Sequence, residues 1–159
     1  MTGPITIQVD DGQVQAWFDQ LLGRSQNLGP LMAQFGEVLL ENTQDRFLEG
    51  RDPDGNAWAP VKRGGRPLID TGTMRDQIAP VSGADFVELR ATARQAAFHQ
   101  FGTKPFTIRP KGKKALAWPG GPGPRKSVNH PGLVARPFMG LSDEDRRAMD
   151  DLVERYLAP

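Results

Sequence analysis

Several groups of residues in this sequence have types and spacings that could do chemistry. In Leu68-Ile69-Asp70-Thr71-Gly72-Thr73 an aspartate follows two apolar residues and precedes Thr-Gly. Such a loop can hydrolyse peptides when two aspartates share a proton at the bottom of a β-rich cleft. A chain of 159 residues allows that with one Asp70 from each of two copies. Against it, Met74-Arg75-Asp76-Gln77-Ile78 reads as helical and no later apolar-apolar-Gly strand supports the loop, so Asp70 reads as a helix cap. Asp52-Pro53-Asp54-Gly55-Asn56 alternates oxygen ligands as a calcium loop does. Its glycine stands fourth instead of sixth, and the twelfth place is Arg63 instead of a bidentate glutamate, so a tight turn explains it better.

Gly64-Gly65-Arg66 and Gly120-Gly121-Pro122-Gly123-Pro124-Arg125-Lys126 could cradle phosphate, yet neither has P-loop or dinucleotide-fold spacing. His99 and His130 are the two histidines, and no carboxylate lies between residues 89 and 142 to complete a metal site around them. Ser127 and His130 sit in a Pro/Gly loop, a poor rigid platform for a nucleophile and its base. With no cysteine there is no disulfide, no thiolate nucleophile and no Cys-based metal site. The expectation is a non-enzyme without cofactor or metal.

Charge is more informative. The net charge of +1 hides an asymmetry: residues 1–60 carry nine acids against three bases, and residues 89–142 carry ten bases and no acid. Lys104, Arg109, Lys111, Lys113, Lys114, Arg125 and Lys126 form the basic cluster, with Phe106 and Trp118 as aromatic neighbours. Two aromatics are few for stacking on single strands, whereas non-specific contact with duplex phosphates needs only positive charge. The cluster could equally dock on acidic protein surface or be a solvated loop.

These residues need elements to position them. Ile5, Ile7 and Val9 alternate as in a half-buried strand. A short helix follows with Val14, Trp17, Phe18, Leu21 and Leu22 on one core-facing side, ending at Gly23. The longest helix is expected from about 30 to 49, opened by Pro30 and stopped by Gly50. Its inner face is Leu31, Met32, Phe35, Val38, Leu39 and Asn42, and its outer face carries Glu37, Glu41, Asp45 and Glu49. Residues 51–66 read as a loop anchored by Trp58. A brief helix capped by Asp70 or Thr71 follows, then a hairpin around Ser82-Gly83-Ala84-Asp85.

In 92–101 a helical turn places Phe98 and Phe101 on one buried face and turns His99 and Gln100 outward, with left-handed Gly102 ending it. Thr107-Ile108-Arg109 and Ala115-Leu116-Ala117-Trp118 read as strands of a basic hairpin with its tip at 110–114. Pro119 to Pro124, three prolines and three glycines, suggests a mobile arm. Ser142 or Asp143 caps a last helix with Met149, Leu152, Val153, Tyr156 and Leu157 inward. Eighteen glycines and fourteen prolines, about a fifth of the chain against roughly 12% in ordinary proteins, fit a core with long arms.

The expected fold is one α+β domain over 1–159. A small, mainly antiparallel sheet packs against the long helix and the C-terminal helix, and a Pro/Gly-rich basic hairpin and arm occupies about 102–135. No basic region followed by an apolar run opens the chain, and nowhere do 18 apolar residues follow one another. The sequence therefore reads as soluble, without signal peptide or membrane span.

Four blocks give the chain a family likeness: Asp52-Pro53-Asp54-Gly55-Asn56-Ala57-Trp58-Ala59-Pro60, Pro67-Leu68-Ile69-Asp70-Thr71-Gly72-Thr73-Met74-Arg75-Asp76-Gln77-Ile78, Phe98-His99-Gln100-Phe101-Gly102 and Ala135-Arg136-Pro137-Phe138-Met139-Gly140-Leu141-Ser142. In that order they resemble the phage virion morphogenesis family, the tail completion proteins of contractile-tailed bacteriophages. The resemblance implies a structural protein at the head-proximal end of the tail, made in host cytoplasm and ending in the virion neck. Copies would form a ring, a hexamer to match the tail's symmetry, that touches other tail and connector proteins, passes DNA and enables head-tail joining. Candidate assembly residues are His99, Gln100, Phe101, Gly102 and Arg136, the seven basic-cluster residues, and Glu37, Glu41 and Asp45. A non-specific nucleic-acid-binding module and an aspartic protease using Asp70 are the alternatives.

Overall fold

The computed structural model describes residues 12–62, 64–112 and 114–158, so the strand expected at Ile5, Ile7 and Val9 lies outside the described residues, as does Lys113. Helix α2 (Gly29–Glu49) is the axis of the fold, with Pro30 in its first turn. Gly50 ends it at φ 73°, donating its N–H to the Arg46 carbonyl at 2.8 Å. Leu31, Phe35, Leu39, Thr43, Arg46 and Phe47 are buried at three- and four-residue intervals, so the inner stripe extends one turn past Asn42.

The hairpin falls where the turn signal put it. Strands β1 (Ile78–Ser82) and β2 (Val87–Ala91) pair antiparallel from Ile78↔Ala91 to Ser82↔Val87. They lie against α2 so closely that a Cβ at Gly36 would stand 2.8 Å from the Pro80 Cβ. Helix α5 (Asp143–Leu157) packs on another flank of α2, where Leu152 joins Leu31 and Phe35 in one apolar cluster. A second cluster gathers Phe47, Trp58, Met74, Ile78, Ala93, Ala96 and Phe138. Trp58 anchors its loop as expected: its ring meets Phe47 edge-on at 5.6 Å, and its Nε1 donates to the Pro137 carbonyl at 2.8 Å. This mixture of helices with small antiparallel sheets is the expected α+β class. Among the described residues no helix is long and apolar enough to cross a membrane.

Four local expectations are corrected. Helix α1 (Gly12–Gln26) continues through Gly23, because a helical glycine costs only about 1 kcal/mol relative to alanine and does not by itself end a helix. Its Trp17 and Leu22 are exposed instead of core, since α1 meets the body mainly along α5, with Arg24 donating to the Tyr156 carbonyl. Helix α3 (Thr73–Asp76) has Gly72 at its cap position, in place of Asp70 or Thr71, and the Thr71 hydroxyl accepts from the Thr73 N–H at 3.4 Å.

In helix α4 (Ala96–Phe101) the expected faces are reversed. Phe98 is 54% and Phe101 79% exposed, while His99 and Gln100 point into the structure. Finally, strand β3 (Phe106–Ile108) does not pair with 115–118 but with β4 (Val128–His130), in register from Phe106↔His130 to Ile108↔Val128. Bridges Thr103↔Leu133 and Leu116↔Arg125 extend the pairing at both ends. The result is one long two-limbed arm that turns near 118–121. From Ile108 to Leu116 the chain advances eight residues, against three from Arg125 to Val128, so the extra residues lie partway along the outgoing limb and the tip comes later.

Candidate assembly surface

The base of the arm is fixed to the body by α4. Gln100 accepts the N–H groups of Phe138 and Met139 through one side-chain oxygen, each at 3.0 Å, and its amide donates to the Met139 carbonyl at 2.9 Å. One side chain thus satisfies three backbone groups of the segment that leads into α5. Beside it the Arg136 N–H donates to the His99 carbonyl at 2.7 Å. Gly102 then leaves α4 at φ 70° and ψ −178°, a region open essentially to glycine alone. A Cβ there would lie 2.7 Å from the Leu133 carbonyl oxygen, so the two limbs of the arm can close only over a glycine.

These contacts divide the sequence candidates. Arg136 is buried and its guanidinium donates to the carbonyls of Ala59 (2.8 Å) and Pro60 (3.1 Å), which makes it framework instead of docking surface. Gln100 is likewise committed inside the chain. His99 is half-buried, and its Nδ1 has no hydrogen-bond partner among the described residues. Burial, and then the nearby Arg136 cation, hold its pKa below the ordinary value, so the imidazole is neutral at neutral pH. It lines a recess of about 300 Å³ together with Asp70, Thr71, Thr73 and Arg136. Asp70 there is exposed and leads into a helical turn, not the floor of a β-rich cleft.

The remaining candidates lie at the surface. Phe101 projects from the root of the arm. Lys104, Arg109, Lys111 and Lys114 are exposed along its outgoing limb, and Arg125 and Lys126 on its return. Glu37, Glu41 and Asp45 are exposed on α2, one turn apart in succession. Among the described residues none of these bases or acids forms an ion pair, so the arm and the acidic face do not neutralise each other within one chain.

The sequence reading missed the buried polar centre. The Arg46 guanidinium pairs with the Asp145 carboxylate. Arg46 also donates to the carbonyls of Phe138 (3.3 Å) and Gly140 (2.9 Å) and to the Ser142 hydroxyl (3.2 Å). Asn42 donates to Asp145 at 2.8 Å, and Ser142 and Asp145 exchange the two bonds of a capping box at the start of α5. Burial pushes the Asp145 carboxyl up, but bonds from the Ser142 N–H, Asn42 and the Ser142 hydroxyl, with the Arg46 charge, outweigh it and hold the pKa below the ordinary aspartate value. The spacing Ser142-x-x-Asp145 and a base four residues after Asn42 on the inner stripe were the available signals.

This centre joins α2, the segment after the arm and α5. The chain is thus a braced body that presents a cationic arm on one element and an anionic helix face on another. Comparison with known proteins agrees with a role in building a particle. The tail completion protein S of Escherichia phage P2 is 24% identical over 144 residues, which cover 87% of this chain and 93% of that protein. No solved structure matches the chain. The model of the phage virion morphogenesis family matches residues 9–158, and the chain belongs to that family.

Proposed function

We propose that this structural virion protein completes the phage tail at its head-proximal end, as a single tail-completion domain whose copies form a ring around the DNA channel. The ring is a hexamer matched to the tail's symmetry, and it readies a finished, contractile tail for joining to the head through other neck proteins. The protein assembles in the host cytoplasm and ends in the virion. Family membership and the likeness to a tail completion protein support the tail role.

The observation that carries the ring is the separation of unpaired charge. A ring closes through contacts between two different patches on each copy, and the basic arm of one copy meeting the acidic α2 face of the next supplies such a pair. Replacing Lys111, Lys113 and Lys114 together by glutamate tests this. The expected result is weaker assembly with less dependence on salt, because the attraction that salt screens is gone. Assembly unchanged in strength and salt response removes the arm from the contact.

The absence of any acid between residues 89 and 142 also favours a second reading, in which the arm lies against DNA phosphates. That reading requires the isolated protein to bind duplex with an affinity falling steeply in salt, and the triple charge reversal to reduce that slope.

A further inference from the structure

The outer limb of the arm carries an apolar pocket that the charges alone do not explain. Ile108, Leu116, Ala117, Trp118 and Val128 line about 240 Å³ of open space. Cavities of roughly 150 Å³ hold a benzene molecule, so the pocket has room for one branched aliphatic side chain. Its indole packs against Gly121, where a Cβ would stand 2.7 Å from the ring. An exposed aromatic side chain has few rotatable bonds to immobilise when a partner covers it, which suits it to be an interface anchor. Cations neighbour the pocket's residues along the arm. Arg109 follows Ile108 in the chain, Lys114 precedes Leu116 by two residues, and Arg125 is bridged to Leu116.

The complementary feature lies on α2. Leu48 is exposed and stands eleven residues after Glu37, which on a helix of 3.6 residues per turn returns it to the same line as Glu37, Glu41 and Asp45. It is an apolar knob at the end of an acidic stripe, as the pocket is an apolar hole among bases.

We infer that Leu48 of one copy seats in the Ile108–Trp118 pocket on the arm of the next copy, with Glu41 and Asp45 facing the bases around it. This rests on the ring reading and names the contact that would fix its register. Charge brings the two surfaces together, and the seated side chain selects one alignment, because a shift by one helical turn leaves Leu48 against charge.

The chain has no cysteine, so Leu48→Cys combined with Ala117→Cys introduces the only two thiols, both at exposed positions. Tails purified from cells making this variant are oxidised and run on a non-reducing gel. Seating predicts a ladder extending beyond dimers, absent from either single variant, since a disulfide needs Cα atoms within about 7 Å. In a second arm, Trp118→Ala raises the concentration needed for half-assembly about tenfold or more, the loss expected of an interface anchor. Oligomers that give no ladder and assemble normally with Trp118→Ala overturn the seating and leave the ring standing. A Trp118→Ala protein that loses only duplex affinity, with assembly intact, also overturns it, in favour of nucleic acid in the pocket. A protein that is monomeric at all concentrations and absent from tails overturns the ring itself.

Discussion

Arg46 on α2 and Asp145 in the first turn of α5 form an ion pair from which solvent is excluded, with the Asp145 side chain 0% exposed. Removing one partner of such a pair strands the other charge in the interior, at a cost of about 3–5 kcal/mol. Asp145→Ala and Arg46→Met each lower the urea-unfolding free energy by that amount. Arg46→Met with Asp145→Leu costs much less than the two added together, because neither charge is then left alone.

Acid titration separates two groups. The Asp145 pKa is lower in the fold than in the unfolded chain, so its contribution is present above the ordinary aspartate value near 3.9 and lost as pH falls through the folded pKa. The melting temperature therefore drops steeply in that acid range, and Asp145→Asn flattens the drop from a lower starting point.

His99 acts in a higher window. Its folded pKa lies below the unfolded value near 6.5, so the unfolded chain takes up the proton first. Stability declines as pH falls from about 6.5 and levels off below the folded pKa. Melting curves at closely spaced pH values show this step in the parent chain and lack it in His99→Leu.

Gln100 bonds three backbone groups beside Phe138 and Met139, and none can be replaced by alanine. Gln100→Ala lowers stability by about 2–3 kcal/mol, the cost of unsatisfied polar groups in a partly buried site. Amide hydrogen exchange at Phe138 and Met139 should accelerate by the corresponding factor, while exchange in β1 and β2 changes no more than global stability requires.

Phe101 is the opposite case. It is 79% exposed, so Phe101→Ser leaves the unfolding free energy within about 0.5 kcal/mol, as surface changes usually do. If the root of the arm contacts a partner, incorporation of that variant into tails falls; wild-type incorporation removes Phe101 from the assembly surface.

How much of this could be read from the sequence depended on how local the determining force was. Helix α2 and the β1-β2 hairpin were legible because Pro30, Gly50 and Ser82-Gly83-Ala84-Asp85 set their limits through nearby backbone. The start of α5 was legible to within one residue, as a cap at Ser142 or Asp143, for the same reason, while the reciprocal bond with Asp145 was not. The faces of α4 were not: phenylalanine at three-residue spacing argued for Phe98 and Phe101 inside, yet the backbone groups around Phe138 and Met139 needed a polar partner, and Gln100 supplies it. The arm misled in a similar way. Strands β3 and β4 pair residues twenty to twenty-four apart, and the run Pro110-Lys111-Gly112 on the outgoing limb has the composition of a turn. Of the candidate site, the charged surfaces were visible as composition. The commitment of Arg136 to the carbonyls of Ala59 and Pro60 depends on a tertiary contact no spacing reveals.

The central claim concerns where the protein sits in the particle. A compact electron-dense label fused after α5, whose end at Ala158 is exposed, can be located by electron microscopy in particles and in free tails made with the fused chain. Completion of the tail predicts label at the head-proximal end of tails, whether or not a head is attached. Label absent from tails and necks alike contradicts the account.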